Sequence, residues 1–392
     1  MNNLISLKIE NNKLFVDFKS DLNNNNEYAF YLYKNNIKEA VKWYSTSNST
    51  VFELTGGGSY KVKAFLRTSA GVFLNSFLSE DLPYNIPIYD TSKWGEDVVV
   101  DIDEFITSSK IPNGFTRVSV GNEHIDILVD GIERLNTERG ILVCFTGAVP
   151  KRENKSAPFF SGLNIAKNLN APLISISDPS LARSKKLALA WYAGNENIKD
   201  LPFKIAKILD HISSTLKTKL VLFGGSGGGF AVLSVIEKMT HEAYGAVWNP
   251  QTSITRYNKK KAVLNYMETC FSGFIKNSNI YTYLENLSIS HDLTRSYKPN
   301  NSANTNKSIL YLQNQGDIPH VERHALPFMS ALSAKKECEN IFSTSNGVFF
   351  WFNYWGDGHL VPCQKVIKYV LGGLLDSSSP LDIAYQLNRG II

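Results

Sequence analysis

A serine becomes a nucleophile only when a base can take its proton, a carboxylate orients that base, and N–H groups receive the charge that builds on the attacked carbonyl oxygen. In this 392-residue sequence the serine best placed for such chemistry is Ser226, within Phe223-Gly224-Gly225-Ser226-Gly227-Gly228. The apolar run Leu220-Val221-Leu222-Phe223 leads into it, and an apolar run from Phe230 to Ile236 follows. A strand, a sharp turn and a helix are predicted, with glycines leaving room where the chain folds back. Two further segments offer partners. Gln313-Asn314-Gln315-Gly316-Asp317-Ile318-Pro319-His320 sets Asp317 in a loop beyond a predicted strand, and Trp355-Gly356-Asp357-Gly358-His359 sets His359 between the last predicted strand and the last predicted helix.

A glycine run can also cradle phosphate. This one lacks the Gly-Lys-Ser/Thr ending of a P-loop, and Phe230 stands where a dinucleotide fingerprint wants glycine. No metal site is expected, on the reading that neither a His-x-x-x-His pair nor clustered carboxylates occur. The four cysteines, Cys144, Cys270, Cys338 and Cys363, form no CxxC pair and read as reduced thiols, with Cys144 inside the buried run Ile141–Phe145.

The elements that must position these residues fall into two regions. From Leu4 to about Leu82 the apolar residues alternate, as in Ile5-Ser6-Leu7-Lys8-Ile9 and Tyr60-Lys61-Val62-Lys63-Ala64, between turns rich in Asn and Gly. Roughly seven short strands in that length predict a β-sandwich of immunoglobulin or fibronectin III style over residues 1–88, closed by the prolyl linker Leu82–Pro87. Beyond it, residues 89–392 alternate strands with helices, the signature of a mostly parallel sheet covered on both faces. A polar, aromatic-rich insertion is expected at about 253–306. A helix is predicted from about His324 to Lys335 and a last one over Gln364–Leu374.

The net charge of +5 comes from 41 basic and 36 acidic residues mixed along the chain, too weak a field for a nucleic-acid binder. The run Lys259-Lys260-Lys261 is read as a solvated face, with contact to an anionic substrate as the sharper alternative. The start, Met1-Asn2-Asn3-Leu4-Ile5, has no basic leader, and no apolar run is long enough to span a membrane, so a cytoplasmic protein is expected. Abundant Asn, Lys and Ile suggest an AT-rich bacterial genome.

The strand, glycine turn and helix around Ser226, followed in order by Asp317 and His359 past later strands, resemble the α/β-hydrolase superfamily over about residues 97–392. The resemblance implies that Ser226 is the nucleophile, Asp317 the orienting acid and His359 the general base. It implies one oxyanion donor at the Gly227 N–H and a second at Gly147 or Ala148, in the loop after an earlier strand. Asn249 and Gln251 offer amides, and Trp191 and Tyr192 flat faces, to a hydroxyl-rich ligand beyond the strand ends. His320 is a further substrate-contact candidate; with His324 and Asp357 it is set below the main partners, since residues so close along the chain rarely turn toward each other.

A sandwich in front of such a core, with Asn249-Pro250-Gln251-Thr252 after the strand that follows Ser226, further resembles divergent bacterial enzymes of capsule and surface-glycan machinery. Some of these are O-acetyltransferases, including the glycan acetyltransferase of accessory secretion systems. The resemblance implies acyl transfer through a covalent ester, either O-acetyl transfer to a surface or capsular glycan or ester removal from one. No cofactor is then required, acetyl-CoA is a candidate acyl donor, and glycan-biosynthesis enzymes are candidate partners. A general carboxylic-ester or peptide hydrolase is a second reading, and a non-catalytic glycan-binding scaffold a third.

Overall fold

The computed structural model describes residues 4–10, 12–19, 26–135, 139–297 and 306–390. The first three residues, the asparagines at 23–25 and the close of the expected insertion at 298–305 lie outside the described residues. The chain divides into two compact units, Met1–Ile88 with Lys151–Ser156, and Tyr89–Pro150 with Ala157–Ile392.

The first unit holds strands β1 (Ile5–Glu10), β2 (Lys13–Phe18), β3 (Asn26–Lys34), β4 (Ile37–Ser45), β5 (Ser49–Glu53), β6 (Gly58–Thr68), β7 (Phe73–Leu78) and β8 (Leu82–Tyr84). They form two antiparallel sheets, β1-β2-β5 and β4-β3-β6-β7. Along β6 the alternate residues Tyr60, Val62, Ala64 and Leu66 are buried and pack with Leu14, Val16 and Phe52 of the other sheet, so the period-two pattern makes a sandwich core. Tyr60 at the head of β6 donates its hydroxyl to the Gly56 carbonyl at 2.5 Å, a bond of the tyrosine-corner kind. The expected linker is partly a strand: β8 pairs with Gly58–Tyr60 and sets Pro83 opposite Ser59. A short terminal strand tolerates a proline because no neighbour needs its missing N–H.

The second unit is built on one sheet of eleven strands. These are β9 (Val98–Asp101), β10 (Gly114–Val120), β11 (Glu123–Asp130), β12 (Ile141–Phe145), β13 (Leu173–Ile176), β14 (Leu220–Gly225), β15 (Ala243–Trp248), β16 (Lys307–Asn314), β17 (Lys335–Cys338), β18 (Ile341–Ser343) and β19 (Val348–Asn353). Their order is β17-β18-β19-β16-β15-β14-β12-β13-β11-β10-β9, and only β11 and β18 run against the others. Successive residues of a strand face opposite layers, and the clusters divide accordingly. Ile141, Val143, Leu220 and Leu222 join the helices Leu201–Leu216 and Gly227–Lys238; Leu142, Cys144, Val221 and Phe223 join the helices Leu163–Leu169 and Gln364–Leu375. Both faces of the central strands are thereby buried, which is why they read as unbroken apolar runs.

Two expectations at the end of the chain are corrected. The helix foreseen from His324 to Lys335 is a π-helical turn, Val321–Ala325, continued by Leu326–Ala331. Ser333, at φ 52°, stops it, and Lys335 opens the edge hairpin β17-β18. An unforeseen helix, Pro380–Asn388, follows the last expected one, with the Ser379 side chain accepting from the Asp382 N–H at its start. Among the described residues no helix is long and apolar enough to cross a membrane.

From Gly227 to Ile236 the helix Gly227–Lys238 is buried on every side, which is why its sequence is apolar there, and its first turn packs against the backbone that follows β12. A Cβ at Gly228 would stand 2.6 Å from the Phe145 carbonyl oxygen and 3.2 Å from the Gly147 nitrogen. Backbone cannot yield there as a flexible side chain would. Gly228→Ala is expected to destabilise the protein by about 1–3 kcal/mol, read as a lowered midpoint in chemical denaturation; an unchanged midpoint would show that the helix shifts without cost.

Candidate active site

Loops at the C-terminal ends of β12, β14, β15 and β19 line one cavity, at the edge where open α/β sheets bind ligands, and Asp317 after β16 is joined to it through His359. Ser226 sits between β14 and helix Gly227–Lys238 at φ 55° and ψ −119°, a conformation costly for a residue with a Cβ, on the order of 1–3 kcal/mol. Three backbone hydrogen bonds hold it there. Its N–H donates to Trp248 O at 3.0 Å, and its carbonyl accepts from Phe230 N and Gln251 N, each at 3.1 Å. The glycine before it is required by packing, since a Cβ at Gly225 would fall 1.8 Å from the Trp248 ring. That contact explains why bulky residues do not flank this serine.

Asp317 follows β16 and is 2% exposed, yet its carboxylate is well served. His359 Nδ1 lies 2.5 Å from Oδ2, and His320 Nδ1 lies 3.0 Å from both oxygens. Burial works against a charge on Asp317, but the hydrogen bonds from His320 and His359 outweigh it and hold the carboxyl well below the usual carboxylate range. An ionised carboxylate only accepts, so both imidazoles carry their proton on Nδ1 and face it as donors. His320 therefore does turn toward its near neighbour in sequence, against the expectation. Asp317 immediately precedes the helical turn Ile318–His320, and the third residue on comes round to the same side.

The two histidines differ in surroundings. Their rings stack with centroids 4.2 Å apart, but the His320 side chain is 5% exposed and that of His359 is 35% exposed. Burial pushes the His320 imidazole below its ordinary pKa, which the Asp317 hydrogen bond partly offsets. His324 is buried too, and burial drops it to about 2; its Nδ1 accepts from the Thr252 N–H at 3.2 Å, a structural role. Asp357 accepts from the Tyr354 hydroxyl at 2.9 Å.

Two residues that the sequence reading did not single out shape the site. Asn314, wholly buried, ties the two loops together: its Nδ2 donates to Gly356 O and Gly358 O at 2.8 and 2.9 Å, and its Oδ1 accepts from Gly316 N and Trp355 N at 3.2 Å. The signal available was an asparagine at a strand end beside Gly316. Tyr257, from the insertion, lines the cavity, and burial raises its hydroxyl pKa, with a hydrogen bond to Gln251 as the opposing effect.

The expected substrate contacts are corrected. Trp191 and Tyr192 are 0% and 1% exposed, so neither offers a face to a sugar. Tyr192 donates its hydroxyl to Ile176 O at 2.8 Å and accepts from Thr146 N at 2.9 Å. Asn249 is buried, accepting from Asn314 N at 2.7 Å and donating to Leu360 O at 3.0 Å, so it braces the His359 loop. Gln251 is buried with its Nε2 2.9 Å from Ser226 Oγ, and His320 is likewise enclosed.

The cavity, of about 360 Å³, is lined by Thr146, Gly147, Ala148, Ser226, Trp248, Tyr257, Lys259 and His359 among others. The structure thus brings Ser226 and His359 to one space, although among the described residues no hydrogen bond joins Ser226 Oγ to either imidazole on Asp317. Gly147 packs on the first turn of helix Gly227–Lys238, whose leading N–H groups have no partner within the helix. The Thr146 N–H is taken by Tyr192, which leaves Gly147 and Ala148 as the loop's candidates. Cys144 also borders the cavity, but burial pushes its thiol up to about 12, so it is no nucleophile at neutral pH.

Of the described residues, Asp317, His320 and His359 could hold a metal ion, their ligand atoms lying within 4.8 Å of one another. The expectation of no metal site also overlooked that His320 and His324 stand four residues apart. A cation among these groups would have to replace both N–H hydrogen bonds to Asp317, and His324 Nδ1 is already engaged by Thr252. The donor set fits an orienting carboxylate better than a metal ligand.

The site sets the sign of an acid effect on stability. A histidine in the unfolded chain takes its proton near 6.5, whereas His324 in the fold resists until about 2. Between these values the unfolded state binds the extra proton, so stability falls as pH drops below about 6.5, by about 1.4 kcal/mol per pH unit for one such group. His324→Gln is expected to flatten that dependence in urea denaturation run between about pH 5 and 6.5; an unchanged slope would place the acid sensitivity elsewhere. Asn314→Leu is expected to lower the midpoint in chemical denaturation, because it removes the hydrogen bonds that tie the two loops together, each worth about 0.5–1.5 kcal/mol, and an unchanged midpoint would show that the clamp is dispensable.

No protein-family model matches the sequence, and no curated protein matches it. Among solved structures the chain is similar, at 12% identity and a TM-score of 0.44, to the capsule O-acetyltransferase of Neisseria meningitidis serogroup A, over 73% of this chain and 98% of that one. It is similar at 11% identity and a TM-score of 0.40 to an S-formylglutathione hydrolase from Agrobacterium tumefaciens, over 70% of this chain and 95% of that one. The acylaminoacyl peptidase of Pyrococcus horikoshii matches at 11% identity and a TM-score of 0.42, over all of this chain and 56% of that one. The strand order and the two helical layers give the second unit an α/β-hydrolase-like fold.

Proposed function

We propose that the protein is a serine-dependent acyl-transfer enzyme that forms a covalent ester at Ser226, with His359 as general base and Asp317 as its orienting acid. The observation that carries this reading is the pairing of a strained serine at a strand–helix turn with an imidazole on the same cavity whose far nitrogen is held by a buried carboxylate. His359 Nε2 takes the Ser226 proton as Oγ attacks the acyl carbonyl. The oxyanion is received by the Gly227 N–H and by that of Gly147 or Ala148. As the tetrahedral species collapses, the bond to the leaving alcohol or thiol breaks, and His359 returns the proton to it. An acceptor hydroxyl then gives its proton to His359 as it attacks the acyl carbonyl, and on collapse the bond to Ser226 Oγ breaks and His359 returns the proton to that oxygen.

We infer a short acyl group, acetyl in the first instance, carried to or removed from a glycan hydroxyl, with acetyl-CoA as donor if the reaction is transfer. A cavity of about 360 Å³ suits a small acyl chain and part of its alcohol. Lys259 lines it and is exposed, which suits an acidic acceptor or the phosphates of a donor. A second reading, plain ester hydrolysis, is favoured by the 35% exposure of the His359 side chain, which gives water access to the base.

Labelling by a fluorophosphonate tests the chemistry. Wild-type protein is expected to gain one adduct, Ser226→Ala none, and His359→Gln to label about a hundred- to ten-thousand-fold more slowly; an adduct that persists in Ser226→Ala would place the nucleophile elsewhere. Incubation with acetyl-CoA and capsular oligosaccharides distinguishes the readings, since transfer adds one acetyl group to the acceptor, whereas hydrolysis releases acetate and leaves it unchanged.

A further inference from the structure

We propose that Gln251 is a positioning residue that fixes the direction of the Ser226 hydroxyl proton, as part of a buried chain from Trp191 through Gln251 to Ser226 and through His320 back to Asp317. The inference rests on Ser226 being the nucleophile.

The chain has a defined polarity. The indole N–H of Trp191 can only donate, and it meets Gln251 Oε1, so the amide cannot be flipped without losing that bond. Gln251 Nε2 then points the other way with two hydrogens, 2.9 Å from Ser226 Oγ and 3.3 Å from His320 Nε2. Nε2 of the amide has no acceptor capacity. Ser226 Oγ must therefore accept from it, and the serine's own hydrogen must point elsewhere, with the cavity that holds His359 the open side.

The same polarity settles the two histidines. His320 Nε2 accepts from Gln251, so it is bare, and its proton sits on Nδ1 toward Asp317. With its lone pair engaged and its ring buried, His320 cannot serve as a second base. It connects Gln251 to the carboxylate that orients His359, so the same carboxylate anchors the direction of the serine proton and the imidazole that receives it.

The backbone holds this arrangement under strain. Trp191 and Tyr192 are consecutive, buried and left-handed, at φ 58° and 54°, a conformation that side chains disfavour. The Tyr192 N–H is held by the buried Asp178 carboxylate at 2.7 Å. Strain maintained at a loop whose side chains end on Gln251 and on Thr146 N is strain at a site support, where such conformations cluster.

The test is the rate of fluorophosphonate labelling at Ser226 against pH in wild type, Gln251→Met and Gln251→Glu. Gln251→Met keeps the length but loses both donors, and labelling should slow roughly 3- to 10-fold at every pH, the scale of one neutral hydrogen bond. Gln251→Glu offers an acceptor once ionised, draws the serine hydrogen away from His359, and should lose activity progressively as pH rises while wild type does not. A merely structural glutamine would give no such inversion of the pH profile. Should Gln251→Met fail to fold, Trp191→Phe removes the indole N–H that orients the amide, together with part of the buried ring, and should show the same loss. Wild-type rates and profile in the Gln251 variants would overturn the proposal while leaving Ser226 as nucleophile. A wild-type protein that is not labelled at Ser226 would overturn the acyl-enzyme reading and this inference with it.

Discussion

The buried Asp317 carboxylate accepts N–H groups from two imidazoles, and the arrangement of the site follows from keeping that charge satisfied. A carboxylate with so little exposure is costly unless several donors meet it, and one imidazole would leave acceptor capacity unfilled. His320 fills it from the next helical turn, and His359 from a loop 42 residues away in sequence. Because one ring is enclosed and the other half open, the pair divides into a fixed neutral anchor and an imidazole that faces the cavity. Asn314 and Asn249 then hold the two loops in register, each through bonds to main-chain groups that a shorter or apolar side chain could not make.

The other half of the site depends on closeness of backbone. Trp248 packs where a Cβ of Gly225 would lie, and its ring stands 5.5 Å from that of His359, so the glycine run and the position of the histidine share one aromatic neighbour. The run also lets the first turn of helix Gly227–Lys238 approach the Gly147 loop. Main-chain N–H groups at the start of that helix are thereby brought beside Ser226, where the proposed mechanism places the oxyanion.

Much of this was legible in the sequence because its signals are local. Alternation predicted the sandwich strands, unbroken apolar runs predicted the central strands, and glycine, aspartate and histidine at strand ends pointed to Ser226, Asp317 and His359. What misled was chemistry that depends on distant partners. Trp191 and Gln251 are 60 residues apart, and nothing in either segment says that the indole N–H meets the amide inside the protein. Aromatic and amide side chains read as ligand contacts for want of that information. His320 was set aside on a rule about chain neighbours that a helical turn reverses, and the edge hairpin at Lys335 replaced helix because a left-handed Ser333 carries no strong signal of its own.

The most direct test of the shared carboxylate is the protonation state of each imidazole, read by nitrogen NMR on protein labelled at histidine, with His320→Gln used to assign the resonances. The account predicts that His320 stays neutral, with its proton on Nδ1 and Nε2 bare, through the range in which an ordinary histidine begins to charge. A His320 that takes up a second proton in that range, or that carries its single proton on Nε2, would contradict it.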